Sequence, residues 1–265
     1  MSSVKLKDPI LPVVIILVLG CVAAAFYYWV NYDRQTPPPQ PVAQREAPPA
    51  PEPQIRHPIP RTDAQETKPL PPLADSDDAL QDAAAGLIDQ ESFARFFNMN
   101  SIVRRFVVTI DELPRKKMAQ RYNVAKPVAG QFRITGKGES LAINPANYRR
   151  YTPYVQLAER IDTKKLVALY VYFYPLFQEE YKNLGYPKRY FNDRLVETID
   201  DLLAAPEIKT SLRLTQPKVL YEFADPNLEA LSAGQKIMMR MGSENAAKVK
   251  AKLKEIRAEI TTAAR

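Results

Sequence analysis

The chain has 265 residues and carries 37 Lys and Arg against 30 Asp and Glu, so its formal net charge is +7. It holds one Cys, Cys21, and one His, His57. These counts exclude a disulfide scaffold and a Cys/His zinc site, because each needs several such residues. His57 falls in a proline-rich stretch, where we expect a solvated linker residue. No Ser–His or Cys–His catalytic pair is therefore expected in the folded part, and no metal ion or cofactor is predicted.

Residues 9–32 carry no charge and predict a transmembrane helix, because they are long enough to cross a hydrocarbon core of about 30 Å. Two lysines precede this span, so the positive-inside rule places residues 1–8 in the cytoplasm as a short tail and exports the rest. Cys21 is interpreted as a small apolar residue within the span. The alternative is a lipidated cysteine, since Val18-Leu19-Gly20-Cys21 resembles a lipobox, but the apolar run continues beyond it.

Residues 33–74 predict a proline-rich tether. Thirteen of the 36 residues from Pro37 to Pro72 are Pro, and large apolar side chains are almost absent. Such a segment cannot bury a core, so we expect a disordered, partly polyproline II spacer that contributes nothing to the fold.

Residues 75–265 predict one mainly α-helical globular domain with one or two small β-hairpins, expected at residues 132–143 and 212–223. Pro175 predicts a kink or break in the long helix that follows Asp162. Residues 107–110 lie in a helical pattern but also fit a strand, because they are β-branched. Apolar periodicity and capping residues predict helices that begin near Ser76, Phe93, Ile102, Thr152, Thr163, Tyr190, Ser232 and Ser243.

The last predicted helix has a narrow apolar seam, in which Ala246, Val249, Leu253, Ile256 and Ile260 are spaced by 3, 4, 3 and 4 residues. Two heptads are too few for a coiled coil, so we interpret the seam as a stripe that docks on the core. The lysine-rich remainder of this helix is interpreted as a solvated face. The alternative is a contact with an anionic glycan, lipid or nucleic acid.

Asp193, Glu197 and Asp201 lie at i, i+4 and i+8 on one predicted helix face. A buried pair of carboxylates can divide the acid and base roles of glycoside hydrolysis, which makes Asp193 and Glu197 the candidate catalytic residues. Arg194 and Lys188 lie nearby and favour an ion-paired or solvated face instead. Enzyme activity is therefore the secondary interpretation.

Aromatic and cationic residues are concentrated between Tyr186 and Arg194. Tyrosine rings can stack on sugar or peptide, and arginine can hold a carboxylate through two parallel hydrogen bonds. We therefore predict a ligand or partner groove here, at a helix start where backbone N–H groups are free. Its candidate residues are Tyr186, Lys188, Arg189, Tyr190, Asn192, Asp193 and Arg194. The alternative is that Tyr190 and Phe191 turn inward as core while Arg194 pairs with Asp193 or Glu197.

Several runs of residues, in order along the chain, resemble one protein family. They include Tyr174-Pro175-Leu176-Phe177-Gln178, Leu184-Gly185-Tyr186-Pro187, Phe191-Asn192-Asp193-Arg194-Leu195-Val196-Glu197 and Gln216-Pro217-Lys218-Val219-Leu220-Tyr221-Glu222-Phe223. The family is DUF3014, a group of uncharacterised membrane-anchored proteins of proteobacteria, and the resemblance spans roughly residues 92–260. It implies a Gram-negative envelope setting and transfers no catalytic or binding residue.

Together these patterns predict a single-pass inner-membrane protein whose periplasmic domain acts by binding or scaffolding, with peptidoglycan or another envelope protein as the expected partner. The first alternative is a cell-wall-acting glycoside hydrolase that uses Asp193 and Glu197. The second is a cytoplasm-facing nucleic-acid binder, which requires inverted topology. Residues 92–265 hold 30 basic and 18 acidic side chains, and this excess of positive charge fits an anionic partner of each kind.

Overall fold

A computed structural model describes residues 54–59, 69–208 and 210–262, all within one compact unit, Glu52–Arg265. The predicted membrane span at residues 9–32, with Cys21 inside it, lies outside the described residues. Among the helices that are described, none is both long and apolar enough to cross a membrane.

The prediction of a mainly helical domain is confirmed, and the β-branched residues 107–110 lie in a helix rather than a strand. The longest helix, α5, has Asp162 as its N-cap, because the Asp162 carboxylate accepts a hydrogen bond from the Lys165 N–H. In the part of the chain that the structure describes, the α-helices are α1 (Ser76–Ala84), α2 (Gln90–Phe96), α3 (Ile102–Glu112), α4 (Tyr148–Arg160), α5 (Thr163–Asn183), α6 (Phe191–Leu203), α7 (Pro226–Ala230), α8 (Ala233–Arg240) and α9 (Ser243–Thr261).

Two short antiparallel strand pairs accompany the helices. Strand β1 (Ile134–Thr135) pairs with β2 (Ala142–Ile143), and β3 (Leu214–Thr215) pairs with β4 (Glu222–Phe223). A single bridge between Ala142 and Arg213 connects the two pairs. The second hairpin is shorter than expected, because Val219 is 85% exposed and lies in its turn.

Two prolines behave differently from the prediction. The helix expected to begin at Thr152 begins at Tyr148, so Pro153 lies inside it. The earlier start follows a short 3-10 turn, Pro145–Asn147. Asn144 is the N-cap of this turn, because its side chain accepts a hydrogen bond from the Ala146 N–H. Pro175 lies inside α5, which continues as one helix to Asn183. Leu176 and Phe177 beside this proline are buried, and their packing offsets the missing backbone hydrogen bond.

The core is built around α5, which packs against α3, α6 and α9. Phe173 and Tyr181 of α5, Val107 of α3 and Phe191 of α6 are at most 1% exposed. A smaller cluster fixes the hairpins to α8, because Ile143, Leu214 and Phe223 pack with Met239. Phe191 at the start of α6 belongs to this core, and the polar residues Asn192 and Asp193 that follow it are also buried.

The last helix, α9, docks along α4, α5 and α6, as its apolar seam predicts. Ile260 is buried, and Leu253 and Ile256 pack against the main core. Its lysines are not simply solvated. Lys250 donates to the carbonyl of Ala205 at 2.6 Å, and Lys252 donates to the carbonyl of Ile161 at 3.1 Å. Part of the basic face therefore satisfies backbone carbonyls at the ends of neighbouring elements.

Candidate functional site

The start of α6 binds a segment of the predicted tether. The two carboxylate oxygens of Asp193 accept hydrogen bonds from the main-chain N–H groups of Arg56 (3.2 Å) and His57 (2.7 Å). The Asn192 side chain donates from Nδ2 to the main-chain carbonyl of His57 at 2.9 Å. His57 is half-buried rather than a free linker residue, and its backbone is held on both sides. These contacts were not expected of a spacer that contributes nothing to the fold.

A glutamine from the neighbouring helix fixes the loop before α6. Oε1 of Gln178 accepts hydrogen bonds from the Phe191 N–H and from the Tyr174 hydroxyl, both at 2.8 Å. Its Nε2 donates to the carbonyl of Arg189 at 2.9 Å. The first free N–H of α6 is therefore satisfied by α5, since Tyr190 at the N-cap supplies no side-chain bond. The loop and the helix start are held in one position.

A buried tyrosine sets the orientation of Asn192. The Tyr170 hydroxyl donates to Oδ1 of Asn192 at 3.0 Å, and Asn192 is fully buried. Burial raises the pKa of Tyr170 well above its usual value, so the hydroxyl keeps its proton and remains a donor. Oδ1 of Asn192 is thereby the acceptor, which leaves the Nδ2 donor to face the tether carbonyl.

A buried carboxylate positions Arg194. Asp111 of α3 is 4% exposed, and its Oδ1 lies 3.1 Å from Nε of Arg194. Nη2 of Arg194 also donates to the Asp111 carbonyl at 2.5 Å, and Nη1 pairs with Glu197 at 3.1 Å. On its other side, Asp111 pairs with Arg115 and accepts a hydrogen bond from the Tyr186 hydroxyl at 3.3 Å. Arg194 is thus oriented through charge-assisted bonds rather than free to move.

These groups surround a cleft of about 300 Å³ beside the docked segment. The arginines that line this cleft differ in whether a carboxylate neutralises them. Arg194 is neutralised by Asp111 and Glu197, whereas Arg56 and Arg189 have no carboxylate within 4 Å among the described residues. The guanidinium of Arg189 lies 5.7 Å from the ring centre of Tyr186. The cleft is lined by Gln54, Arg56, Tyr181, Arg189, Tyr190, Asp193, Arg194 and Glu197.

The predicted groove residues are brought together only in part. Arg189, Tyr190, Asp193 and Arg194 line the cleft. Asn192 lies beneath the docked segment rather than in the cleft wall. Tyr186 lies behind the wall, with its ring stacked on Tyr181 at 4.6 Å, and Lys188 is exposed away from the lining. The alternative was that Tyr190 and Phe191 turn inward as core. It holds for Phe191, which is in the core, but not for Tyr190, which is only half-buried.

The predicted carboxylate row is divided among three separate interactions. Asp193 accepts two main-chain N–H groups, and Glu197 is 53% exposed and paired with Arg194. Asp201 accepts a hydrogen bond from the Ser232 hydroxyl at 2.6 Å. Each carboxylate therefore has a structural partner. Within the described part of the chain, no group of three or more His, Cys, Asp and Glu side chains could hold a metal ion.

Sequence reasoning missed two components of this site. Gln54 and Arg56 lie in the proline-rich stretch, whose composition gave no signal of docking. Asp111 did carry a signal, because it continues the i, i+4 row of Val103 and Val107 on the buried face of α3. A carboxylate in an apolar row predicts a buried partner of opposite charge.

A family model described as a protein of unknown function, DUF3014, matches residues 102–257, which is more than half of the chain. The chain belongs to the DUF3014 family. The resemblance seen in the sequence is thereby confirmed. The DUF3014 match begins at the first residue of α3 and includes the α5 and α6 walls of the cleft, but not the docked segment 54–59. No curated protein and no solved structure matches the chain.

Proposed function

We propose that this DUF3014 protein is a single-pass inner-membrane protein whose helical domain binds a carboxylate-bearing partner in the periplasm. The observation that carries the proposal is the pair of arginines, Arg56 and Arg189, that line one cleft and have no carboxylate partner among the described residues. The guanidinium group is suited to planar recognition of carboxylates. Peptidoglycan and other envelope proteins both present such groups, so scaffolding between the membrane and the cell envelope is the role that fits best.

The rigid surroundings of the cleft support recognition rather than a chance surface contact. Gln178 holds the loop that carries Arg189, and Asp111 holds Arg194, which also lines the cleft. A ligand that enters therefore meets groups that are already ordered, which lowers the entropic cost of binding. Tyr190 is half-buried and lines the same cleft, so its ring adds an apolar surface to the charged lining.

Binding is tested with the full chain in a nonionic detergent and purified peptidoglycan sacculi, by co-sedimentation. Arg189→Ala should weaken retention at least about tenfold, because a charge-assisted hydrogen bond contributes about 1.5–3 kcal/mol. Lys188→Ala is the matched control, since Lys188 is an exposed cation one residue away that does not line the cleft. Retention by Arg189→Ala equal to that of the unaltered chain contradicts binding of peptidoglycan in the cleft. Crosslinking in membranes then tests a protein partner with the same pair of variants.

Topology is tested separately by adding protease to spheroplasts. By the positive-inside rule, the two lysines before the predicted span favour a domain outside the cytoplasm, so the protease should digest it. A domain that resists digestion until the membrane is lysed shows that the orientation is reversed. That result would favour the cytoplasm-facing alternative, in which the basic domain meets nucleic acid.

A further inference from the structure

We propose that Asn192 and Asp193 form a binding site for polypeptide main chain, and that its resident ligand is residues 54–59 of the chain itself. We call this docked segment the latch. The predicted spacer is then fastened to the domain at this segment, in addition to Leu70 and Leu73, which pack against the main core.

Among the described residues, the hydrogen bonds that hold the latch all involve its backbone. Asp193 offers one carboxylate oxygen to each of two successive N–H groups, and Asn192 donates to the carbonyl of the second residue. With the latch in place, Asp193 is 8% exposed and Asn192 is fully buried, so opening the latch breaks three hydrogen bonds at side chains that are shielded from solvent in the docked state. Pro58 follows directly and restricts the backbone of His57, which reduces the freedom lost on docking. Main-chain recognition with a proline beside it defines the ligand class as a short non-helical peptide.

The latch also completes the cleft. Gln54 and Arg56 belong to its lining, so opening the latch removes one of the two arginines that lack a carboxylate partner in the described part of the chain. This step rests on the proposed function, because it concerns the ligand of that same cleft. A carboxylate ligand that contacts Arg56 must stabilise the closed latch, and the closed latch must strengthen binding of that ligand by the same factor.

Hydrogen exchange of the full chain in detergent, followed by mass spectrometry of fragments that cover residues 52–60, tests the latch. We expect the Arg56 and His57 amides to exchange at least about tenfold more slowly than an unstructured peptide of the same sequence. Asp193→Ala should remove this protection, whereas Glu197→Ala, one turn later on the same helix and exposed, should preserve it. Equal exchange in the chain and in the free peptide would overturn the proposal.

A second variant keeps the test valid if Asp193→Ala disturbs α6. His57→Pro removes the N–H that donates at 2.7 Å and alters no residue of the helices. It should speed hydrogen exchange at the Arg56 amide, while the fragments from α6 stay protected from exchange. Gln54→Pro is the control, because the Gln54 N–H makes no hydrogen bond within the described residues. Unchanged protection of Arg56 in His57→Pro refutes the latch. These measurements involve no added ligand, so loss of sacculus binding in Arg189→Ala and loss of the latch are separate outcomes.

Discussion

The buried ion pair between Asp111 and Arg194 gives the sharpest stability prediction. Arg194 has two carboxylate partners in contrasting environments, since the side chain of Asp111 is 5% exposed and that of Glu197 is 53% exposed. Removing the buried partner leaves the guanidinium, itself 13% exposed, without its main counter-charge. Loss of one member of a buried pair costs about 3–5 kcal/mol, whereas an exposed pair contributes about 0–1 kcal/mol.

We therefore expect Asp111→Ala to lower the melting temperature by about 6–20 °C, and Glu197→Ala by less than about 4 °C, for a folded region of this size. Arg115, the other partner of Asp111, has a 49% exposed side chain and can turn to solvent, so most of the loss comes from Arg194. The measurement is thermal unfolding of the full chain in detergent, followed by far-ultraviolet circular dichroism.

The double variant Asp111→Ala with Arg194→Ala tests the physical cause. If the penalty comes from a buried unpaired charge, removing Arg194 as well should recover about 1–3 kcal/mol relative to Asp111→Ala alone. The reasoning is refuted if Asp111→Ala and Glu197→Ala melt within about 2 °C of each other. It is also refuted if the double variant loses as much free energy of unfolding as the single variants Asp111→Ala and Arg194→Ala lose together.

Two further predictions concern the backbone at Gly242 and the pH dependence of folding. Gly242 has φ of 83°, and a Cβ there would lie 2.7 Å from the Tyr148 ring, so Gly242→Ala should destabilise the chain by at least about 2 kcal/mol in urea unfolding. Gly185→Ala should cost less. Gly185 also has a positive φ, of 107°, but no described atom lies within 4 Å of the added Cβ, and equal losses from the two substitutions would contradict a clash. Burial raises the pKa of Tyr174 to about 12 from 10.0, so the unfolded chain loses this proton before the folded chain does. Stability should therefore be intact below pH 10 and fall as the pH rises toward 12, and Tyr174→Phe should reduce that slope in unfolding measured across this range.

Most of the helices could be predicted because their signals are local. The N-cap residues Asp162 and Ser232 lie within three residues of the N–H groups that they bind. The apolar seam of α9 repeats over fewer than twenty residues and indicates directly which face is buried. The two prolines show the limit of this reasoning. Whether Pro175 breaks a helix depends on the packing around it. The residues that follow it, Leu176 and Phe177, are buried in the tertiary structure, which local sequence signals do not reveal.

The candidate site divides in the same way. Composition alone indicated a cationic and aromatic segment from Tyr186 to Arg194, and four of its residues do line one cleft. Spacing could not say which of its charges would be neutralised, because Asp111, which holds Arg194, lies 83 residues earlier in the chain. Spacing predicts that Asp193, Glu197 and Asp201 share one face of α6, yet each of these carboxylates has a different partner.

The sequence by itself therefore determined the helical class, the proline-rich stretch and the family, because these depend on periodicity, composition and ordered runs of residues. Only the tertiary structure decided which polar groups meet. His57 and Asp193 are 136 residues apart, and their hydrogen bond joins a main-chain N–H, which every residue except proline carries, to a carboxylate. No side-chain pattern encodes such a contact. It arises because folding of the core brings the start of α6 to the place where the chain enters the domain.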